Sequence, residues 1–299
     1  MRYAIGIDIG GTTVEAGIVN EKGDLIQKES VQSDPSNKEK MFLQVIQCVN
    51  QLLNHSSIPE DEIYGIGAGI PGKIDRRNGV AVFQNNLPWS NFPIVHRLRE
   101  ALGIDNIVID NDVYMAAFAE WKEAKMLEDE LFVYITISTG ISCSIIQGGN
   151  FIRGAGFAGE LGLIPVFTHT ADHSMERLEH AASGPAMQAK ARSIYVNEAL
   201  VTKDIFIHFT RGESNASRLV DEMIHALTQG VYMINSILDP HKIVFGGSVA
   251  TYNPYILPLL KDKLKNYLIE EQLHILQNME ISNLNNGQGI IGAGLRAFR

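Results

Sequence analysis

Asp8 stands at the end of an alternating apolar run, two residues before Gly10, Gly11, Thr12 and Thr13. Glycines let a backbone approach an anion closely, and threonines add hydroxyl and N–H groups. A carboxylate beside a bare phosphate is repelled, so Asp8 makes chemical sense there only with a cation, Mg²⁺, between the two. An ordinary tight hairpin ending in an exposed Asp accounts for the same stretch without chemistry. A second small-residue turn, "STGISCS", gives Thr139 and Gly140 a similar place, and "FGGSVA" ends a third strand with Gly246 and Gly247. Three such turns at strand ends fit a nucleotide whose base and phosphates span a cleft.

The acids and amides point to a second ligand. "VIDNDVYMAA" places Asn111 and Asp112 where a strand gives way to a helix. Either residue could serve merely as a helix N-cap. Glu160 lies in the glycine-rich "GAGFAGELG", Glu179 precedes a helix in "ERLEHAASGPA", and "NNLPW" adds Asn86. Gathered together, such side chains suit a polyhydroxylated molecule, each of whose hydroxyls both donates and accepts. Taken singly, Glu160 reads as an exposed loop acid and Glu179 as a first-turn helix acid.

Other signals fail on context. In "GAGIPGKI", Gly67, Gly69 and Gly72 match a dinucleotide fingerprint and, with Lys73, most of a phosphate loop. Ile74 offers no hydroxyl to a metal, Pro71 removes a backbone donor, and "DRRNG" makes a turn rather than a helix. What remains is a loop carrying Gly72 beside a ligand. His169 and His173 sit four apart, but Pro165 and the polar surroundings read as a loop, so no zinc site is expected. No G-x-S-x-G elbow occurs.

The elements that must hold these residues alternate between strand and helix, which predicts an α/β fold. Ile5 to Ile9, Val14 to Val19 and Leu25 to Val31 read as strands; Met41, Phe42, Val45, Ile46, Val49 and Leu52 recur at helical spacing. A long helix is expected from Ser214, with Leu219, Met223, Leu227, Val231, Ile234 and Leu238 on one face and Asp239–Pro240 as its stop. The first hairpin also has an echo in "VYITISTGISCSIIQGGNFI". Aligning Ile9 with Ile137 sets Gly10 and Gly11 against Ser138 and Thr139, and Ile18 against Ile146. The repeat implies two similar α/β domains whose turns face each other, with the boundary near a helix from Asp112 to Trp121.

Composition narrows the class. The 299 residues are 45% hydrophobic, enough for a large core, and the net charge of −9 argues against nucleic-acid or membrane partners. No apolar stretch reaches the ~20 residues of a membrane span, and the opening residues read as a strand rather than a signal peptide. Cys48 and Cys143, widely separated, read as buried small hydrophobes in a reducing, cytoplasmic setting.

Taken in order, Asp8-x-Gly10-Gly11-Thr12, Asn86-Leu87-Pro88, Asn111-Asp112, Thr139-Gly140, Gly159-Glu160, Glu179 with Ser183-Gly184, Gly246-Gly247 and the closing "GIIGAGLRAF" resemble the ROK (repressor, open reading frame, kinase) sugar kinases along the whole chain. The resemblance implies two ribonuclease-H-like domains of the actin and hexokinase type flanking a cleft. Residues 1–115 with 286–299 would form a small N-terminal domain, and residues 116–285 a larger C-terminal one. It further implies a glucokinase-like, ATP- and Mg²⁺-dependent hexose kinase, cytoplasmic and homodimeric. Asp112 would be the catalytic base. Gly72, Asn86, Asn111, Asp112, Glu160 and Glu179 would meet the sugar. Gly10, Gly11, Thr12, Thr13, Thr139 and Gly140 would meet the phosphates, Gly246 and Gly247 the adenosine side, and Asp8 the metal.

Two departures stand out. The family's second phosphate turn is usually richer in glycine than "STGISCS", where Ser138, Ser142, Cys143 and Ser144 stand. Most members also carry a histidine where Leu163 stands, followed by a cysteine-rich zinc loop; this chain resembles the zinc-free branch, with one sugar contact missing. Alternatives are a kinase of N-acetylmannosamine, mannose, fructose or a β-glucoside, or a catalytically weak sugar-binding regulator. A strand beginning at Tyr3 leaves no room for an N-terminal DNA-binding helix pair, which argues against a repressor.

Overall fold

Strict alternation in "YAIGIDI" makes β1 (Tyr3–Ile9) a strand with two different faces, and the rest of its sheet is built around that difference. The computed structural model describes residues 1–84, 86–168 and 174–299. It divides into two compact units, Met1–Lys125 with Gly287–Arg299, and Met126–Asn286. In the first unit, β1 pairs antiparallel with β2 (Thr13–Asn20), which pairs with β3 (Leu25–Gln32). After α1 (Lys38–His55), β4 (Ile63–Ile70) joins the other side of β1 in parallel. A small antiparallel sheet of β5 (Lys73–Asp75), β6 (Val80–Phe83) and β7 (Ser90–Phe92) follows, then α2 (Ile94–Leu102), β8 (Ile107–Asn111) and α3 (Asp112–Glu123). The main sheet runs β3-β2-β1-β4-β8. Its odd face, Ile5, Ile7 and Ile9 with Val14, Ala16 and Ile18, is fully buried with Met41, Val45 and Val49 of α1. The helix where the domain boundary was expected, α3, falls wholly in the first unit.

The second unit repeats this plan. β9 (Leu131–Ile137) pairs antiparallel with β10 (Ile141–Gln147), which pairs with β11 (Asn150–Phe151). A two-stranded ribbon of β12 (Pro165–Phe167) and β13 (Met175–Arg177) leads into α4 (Leu178–Ala182), α5 (Gly184–Tyr195), α6 (Thr202–Thr210) and α7 (Ser214–Leu238). β14 (Lys242–Gly246), α8 (Ser248–Tyr252), α9 (Ile256–Lys265) and β15 (Met279–Ile281) complete it. The sheet order β11-β10-β9-β14-β15 matches the first strand for strand. The long helix begins at Ser214 as expected, and Leu219, Met223, Leu227, Val231 and Ile234 of its inner face are buried.

The echo itself needs one correction. In the first hairpin Ile9 pairs with Val14 and Ile5 with Ile18; in the second, Ile137 pairs with Ile141 and Val133 with Ile145. The counterpart of Ile18 is therefore Ile145, not Ile146. The second turn is one residue shorter, and a one-residue shift carries a side chain to the opposite face of a strand. Pro165 likewise opens a strand, where its surroundings suggested a loop. His169 and His173 lie outside the described residues. Both cysteines are buried; burial pushes the thiol of Cys48 up to about 11 and that of Cys143 up to about 12, as expected of small hydrophobes. No helix among the described residues is long and apolar enough to cross a membrane.

The closing helix α10 (Gln288–Arg296) returns to the first unit and covers the even face of β1, which carries Gly6 and Asp8. A Cβ on Gly6 would fall on the carbonyl oxygen of Ile290, one on Gly67 on that of Ala293, and one on Gly292 on that of Met115 in α3. The helix therefore lies backbone to backbone on the sheet and on α3. Asn106 Nδ2 donates to Ala297 O at 2.9 Å and ties down its end. Gly67 and Gly69, which matched a nucleotide fingerprint, lie inside β4; Gly67 serves this packing, and Gly69 faces Asp112 and Met115 of α3.

Gly292→Ala tests the contact with a clean sign. Alanine in a helix interior ordinarily gains about 0.5–1 kcal/mol over glycine, whereas overpacking costs about 1–3 kcal/mol. The variant should melt several degrees below the wild type in a thermal scan; a higher Tm would contradict the contact.

Candidate functional site

In the first unit the sequence-selected residues converge at the C-terminal ends of β1, β4 and β8. The β1–β2 turn is closed by Gly10 N–H donating to Thr13 O at 3.0 Å and anchored by Ser33, the residue after β3, whose Oγ donates to Gly10 O at 2.7 Å. Thr12 and Thr13 are exposed. A Cβ on Gly11 would stand 3.0 Å from Asn86 O, so the turn lies against the Asn86 segment. That segment is pinned by Trp89, which stacks on Phe92 at 4.9 Å and donates from Nε1 to Lys38 O at 3.0 Å. Asn111 is the N-cap of α3: its Oδ1 accepts from Val113 N–H at 3.0 Å while its Nδ2 donates to Gly72 O at 3.1 Å. Capping and placement of the Gly72 loop are thus done by one side chain. Gly72 has φ 84°, and a Cβ there would meet Phe83 O, so its loop needs glycine on both counts.

Asp112 takes the first position of α3, and its Oδ1 accepts from Val113 N–H at 3.0 Å. The positive end of the helix dipole favours a carboxylate there. A Cβ on Gly69 would lie 3.3 Å from Asp112 Cα, so this glycine lets α3 start close against β4. Asp8 lies at the recessed end of β1, where a Cβ on Gly289 of α10 would meet its Oδ2. Its carboxyl is pushed up to about 7, first by burial and then by the carboxylates of Asp112 and Glu15; Lys28 partly offsets them. Glu15 is its direct cross-strand neighbour and pairs with Lys28 Nζ at 2.6 Å. The packing of Gly289 on Asp8 had no sequence signal.

The second unit gathers the rest. Thr139 is exposed at the tip of the β9–β10 turn, closed by Ser138 N–H donating to Gly140 O at 2.9 Å. Gly246 is buried against Tyr134, and Gly247, at φ 81°, presses on the backbone of Ile137. The start of α8 is thereby brought to the turn, where Ser138 Oγ and Ser248 Oγ share a hydrogen bond at 3.0 Å. Beside them opens a cavity of about 800 Å³. Its walls include Thr139, Pro185, Phe206, Val249 and Tyr252, and Lys203 is the charged side chain of the lining. Phe206, Lys203 and Tyr252 were not legible as site residues, because they come from two helices, α6 and α8, that carry no motif.

Glu160 and Glu179 lie near each other on this unit. Glu160 precedes a single 3-10 turn, Leu161–Leu163, and Glu179 stands in the first turn of α4. Partial burial, and then the charge of Glu179, raise the pKa of Glu160 above the usual carboxylate range. Leu163 is exposed. Among the described residues no group of three or more His, Cys, Asp or Glu side chains is arranged to hold a metal.

The family model of the ROK family matches residues 4–297, and the chain belongs to that family. Among curated proteins it is similar to the glucokinase of Halalkalibacterium halodurans, 26% identical, over 98% of this chain and 94% of that protein. Among solved structures it resembles the ROK hexokinase of Thermus thermophilus, with TM-score 0.80 and 27% identity, covering 99% of this chain and 98% of that one. The fold is also that of a Streptomyces griseus ROK glucokinase solved with glucose and AMPPNP, with TM-score 0.80 at 24% identity over 98% of each chain. The fold is accordingly the α/β, two-domain actin and hexokinase type.

The raised carboxyl of Glu160 carries a stability consequence with a definite sign. Above its folded pKa the group is ionised in both states, and the folded state bears the penalty. As pH falls through the raised folded value, the folded protein takes up the proton and the penalty fades; below the unfolded value it is gone. Glu160→Gln should therefore raise Tm at pH 7, with the gain shrinking toward zero below about pH 4. A gain that grows on acidification would refute this.

Proposed function

We propose that the protein is an ATP-dependent hexose kinase, glucokinase-like, transferring the γ-phosphoryl group to a sugar hydroxyl, the 6-OH. The observation that carries this reading is the Asn111–Asp112 pair at the start of α3. One member is tied to the Gly72 loop and the other presents a carboxylate at the helix N-terminus. Asp112 would take the proton of the attacking hydroxyl, in line with the transferring group. The family resemblance assigns the donors and acceptors a sugar demands to Asn86 and Asn111 in the first unit and to Glu160 and Glu179 in the second.

The residues present also fit the cofactor. Asp8 makes no side-chain hydrogen bond among the described residues, and its carboxyl is raised by burial and two further acids. Such a set is relieved by a divalent cation. One or two protein carboxylates suffice for Mg²⁺ bound mainly by water and phosphates. Mg²⁺, when bound, neutralises charge on the phosphate oxygens. Gly10 to Thr13 and Thr139-Gly140 would cradle the phosphates through backbone N–H groups and hydroxyls. The cavity beside Gly246-Gly247, apolar-walled and of about 800 Å³, suits the nucleoside. The family resemblance extends the proposal to a cytoplasmic homodimer.

A coupled ADP-release assay across glucose, mannose, fructose, N-acetylmannosamine and a β-glucoside tests the reaction and names the sugar. Asp112→Asn should retain the fold and hexose binding while lowering kcat by roughly 10²–10⁴; near-normal turnover would remove Asp112 from its role. Asp8→Ala should abolish Mg²⁺-dependent turnover and leave nucleotide-free sugar affinity nearly unchanged. Lost sugar binding with intact turnover would reverse that assignment.

A further inference from the structure

One acid of the sugar set touches the phosphate turn. Oε2 of Glu179 lies against two glycines at once: a Cβ on Gly140 would stand 3.1 Å from it, and one on Gly162 would stand 3.2 Å away. Gly140 belongs to the β9–β10 turn, so the carboxylate packs directly on the backbone proposed to receive the triphosphate. The same short segment grips that turn again. Glu179 O accepts Ser183 N–H at 3.1 Å, and Gly184 N–H donates to Ser138 O at 2.9 Å. Thr202 Oγ1, in the wall of the large cavity, donates to Gly184 O at 2.9 Å. Residues 179–184 thus join a sugar-facing carboxylate, the phosphate turn and the nucleoside cavity by direct contacts within one unit.

A carboxylate beside an anion seat opposes the anion. Glu160, a second acid close to Glu179, adds to the same field. We propose that Glu179 is a charge gate: without sugar its carboxylate holds triphosphate affinity down, and sugar hydroxyls donating to it relieve that repulsion. The inference rests on the kinase reading above. Hydroxyl dipoles turned toward the carboxylate offset part of its field at Gly140, so sugar and nucleotide bind with positive coupling. By linkage, each tightens the other by the same factor. One unit charge a few ångströms away in a half-solvated site corresponds to a factor on the order of ten. The arrangement makes nucleotide occupancy depend on sugar, which limits idle transfer of the phosphoryl group to water.

The experiment is calorimetric titration of the full chain with the magnesium complex of AMPPNP, with and without the hexose that gives turnover in the panel. Wild-type protein should bind the nucleotide severalfold more tightly with saturating hexose, short of the roughly tenfold of a full unit charge because the hydroxyls offset only part of it. Glu179→Gln, close in shape but neutral, should bind it about tenfold more tightly than wild type when no sugar is present. A merely structural Glu179 would not produce this gain. Gly140→Ala keeps the charge but displaces the carboxylate, and should weaken hexose binding severalfold in the absence of nucleotide. Hexose binding by wild type, with sugar-free nucleotide affinity unchanged or weaker in Glu179→Gln, would overturn the gate alone. So would unaltered hexose affinity in Gly140→Ala. A wild-type protein that binds no hexose would overturn the kinase reading and the gate together.

Discussion

The backbone-to-backbone seating of α10 on β1, β4 and α3 is the constraint on which the first unit's chemistry depends. A helix with ordinary side chains stands 8–10 Å from its neighbours. The glycines at 6, 67 and 292 remove that spacing and let main chains meet. Asp8 shares its face of β1 with Gly6, so the helix that closes over Gly6 also closes over Asp8. Its recessed position, and with it the burial that comes first in raising its carboxyl, follow from a packing requirement two residues away. Gly69 does the same for α3 and brings Asp112 to the end of the sheet where Asp8 lies.

The second unit reaches a comparable end by a different device. Its β9–β10 turn has a hydroxyl-bearing residue at 138, and the close approach comes instead from Gly246-Gly247, pressed on β9 from the neighbouring strand. The left-handed φ of Gly247 turns the chain into α8 beside the turn. Serine at 138 therefore fits without widening the turn: its hydroxyl is spent on Ser248, and Thr139 remains open.

Much of this was legible in the sequence, for reasons that can be stated residue by residue. Alternation in β1 and β2, and helical spacing from Leu219 to Ile234, are properties of a single segment, so the α/β class and the repeated hairpin could be read directly. Asn111 and Asp112 were legible because a strand end and a helix start flank them. What escaped depends on contacts between distant segments. The glycines of β4 matched a ligand fingerprint that context ruled out, but their packing role was hidden, because composition does not reveal whether a glycine meets a phosphate or another main chain. The hairpin echo was misaligned by one residue because turn length was not separable from strand length. Lys203, Phe206 and Tyr252 line the large cavity from two helices, and neither carries a pattern beyond its own amphipathicity.

The first unit is discontinuous: its sheet and α3 precede the whole of the second unit in the chain, and α10 follows it. During synthesis the sheet's glycine-lined face must wait, uncovered, while every residue of the second unit is made. The second unit has its own unbroken stretch of chain and its own core, so it can complete before its predecessor does. Assembly on the ribosome then runs opposite to the order of the sequence, and the pocket that recesses Asp8 is among the last features of the molecule to form.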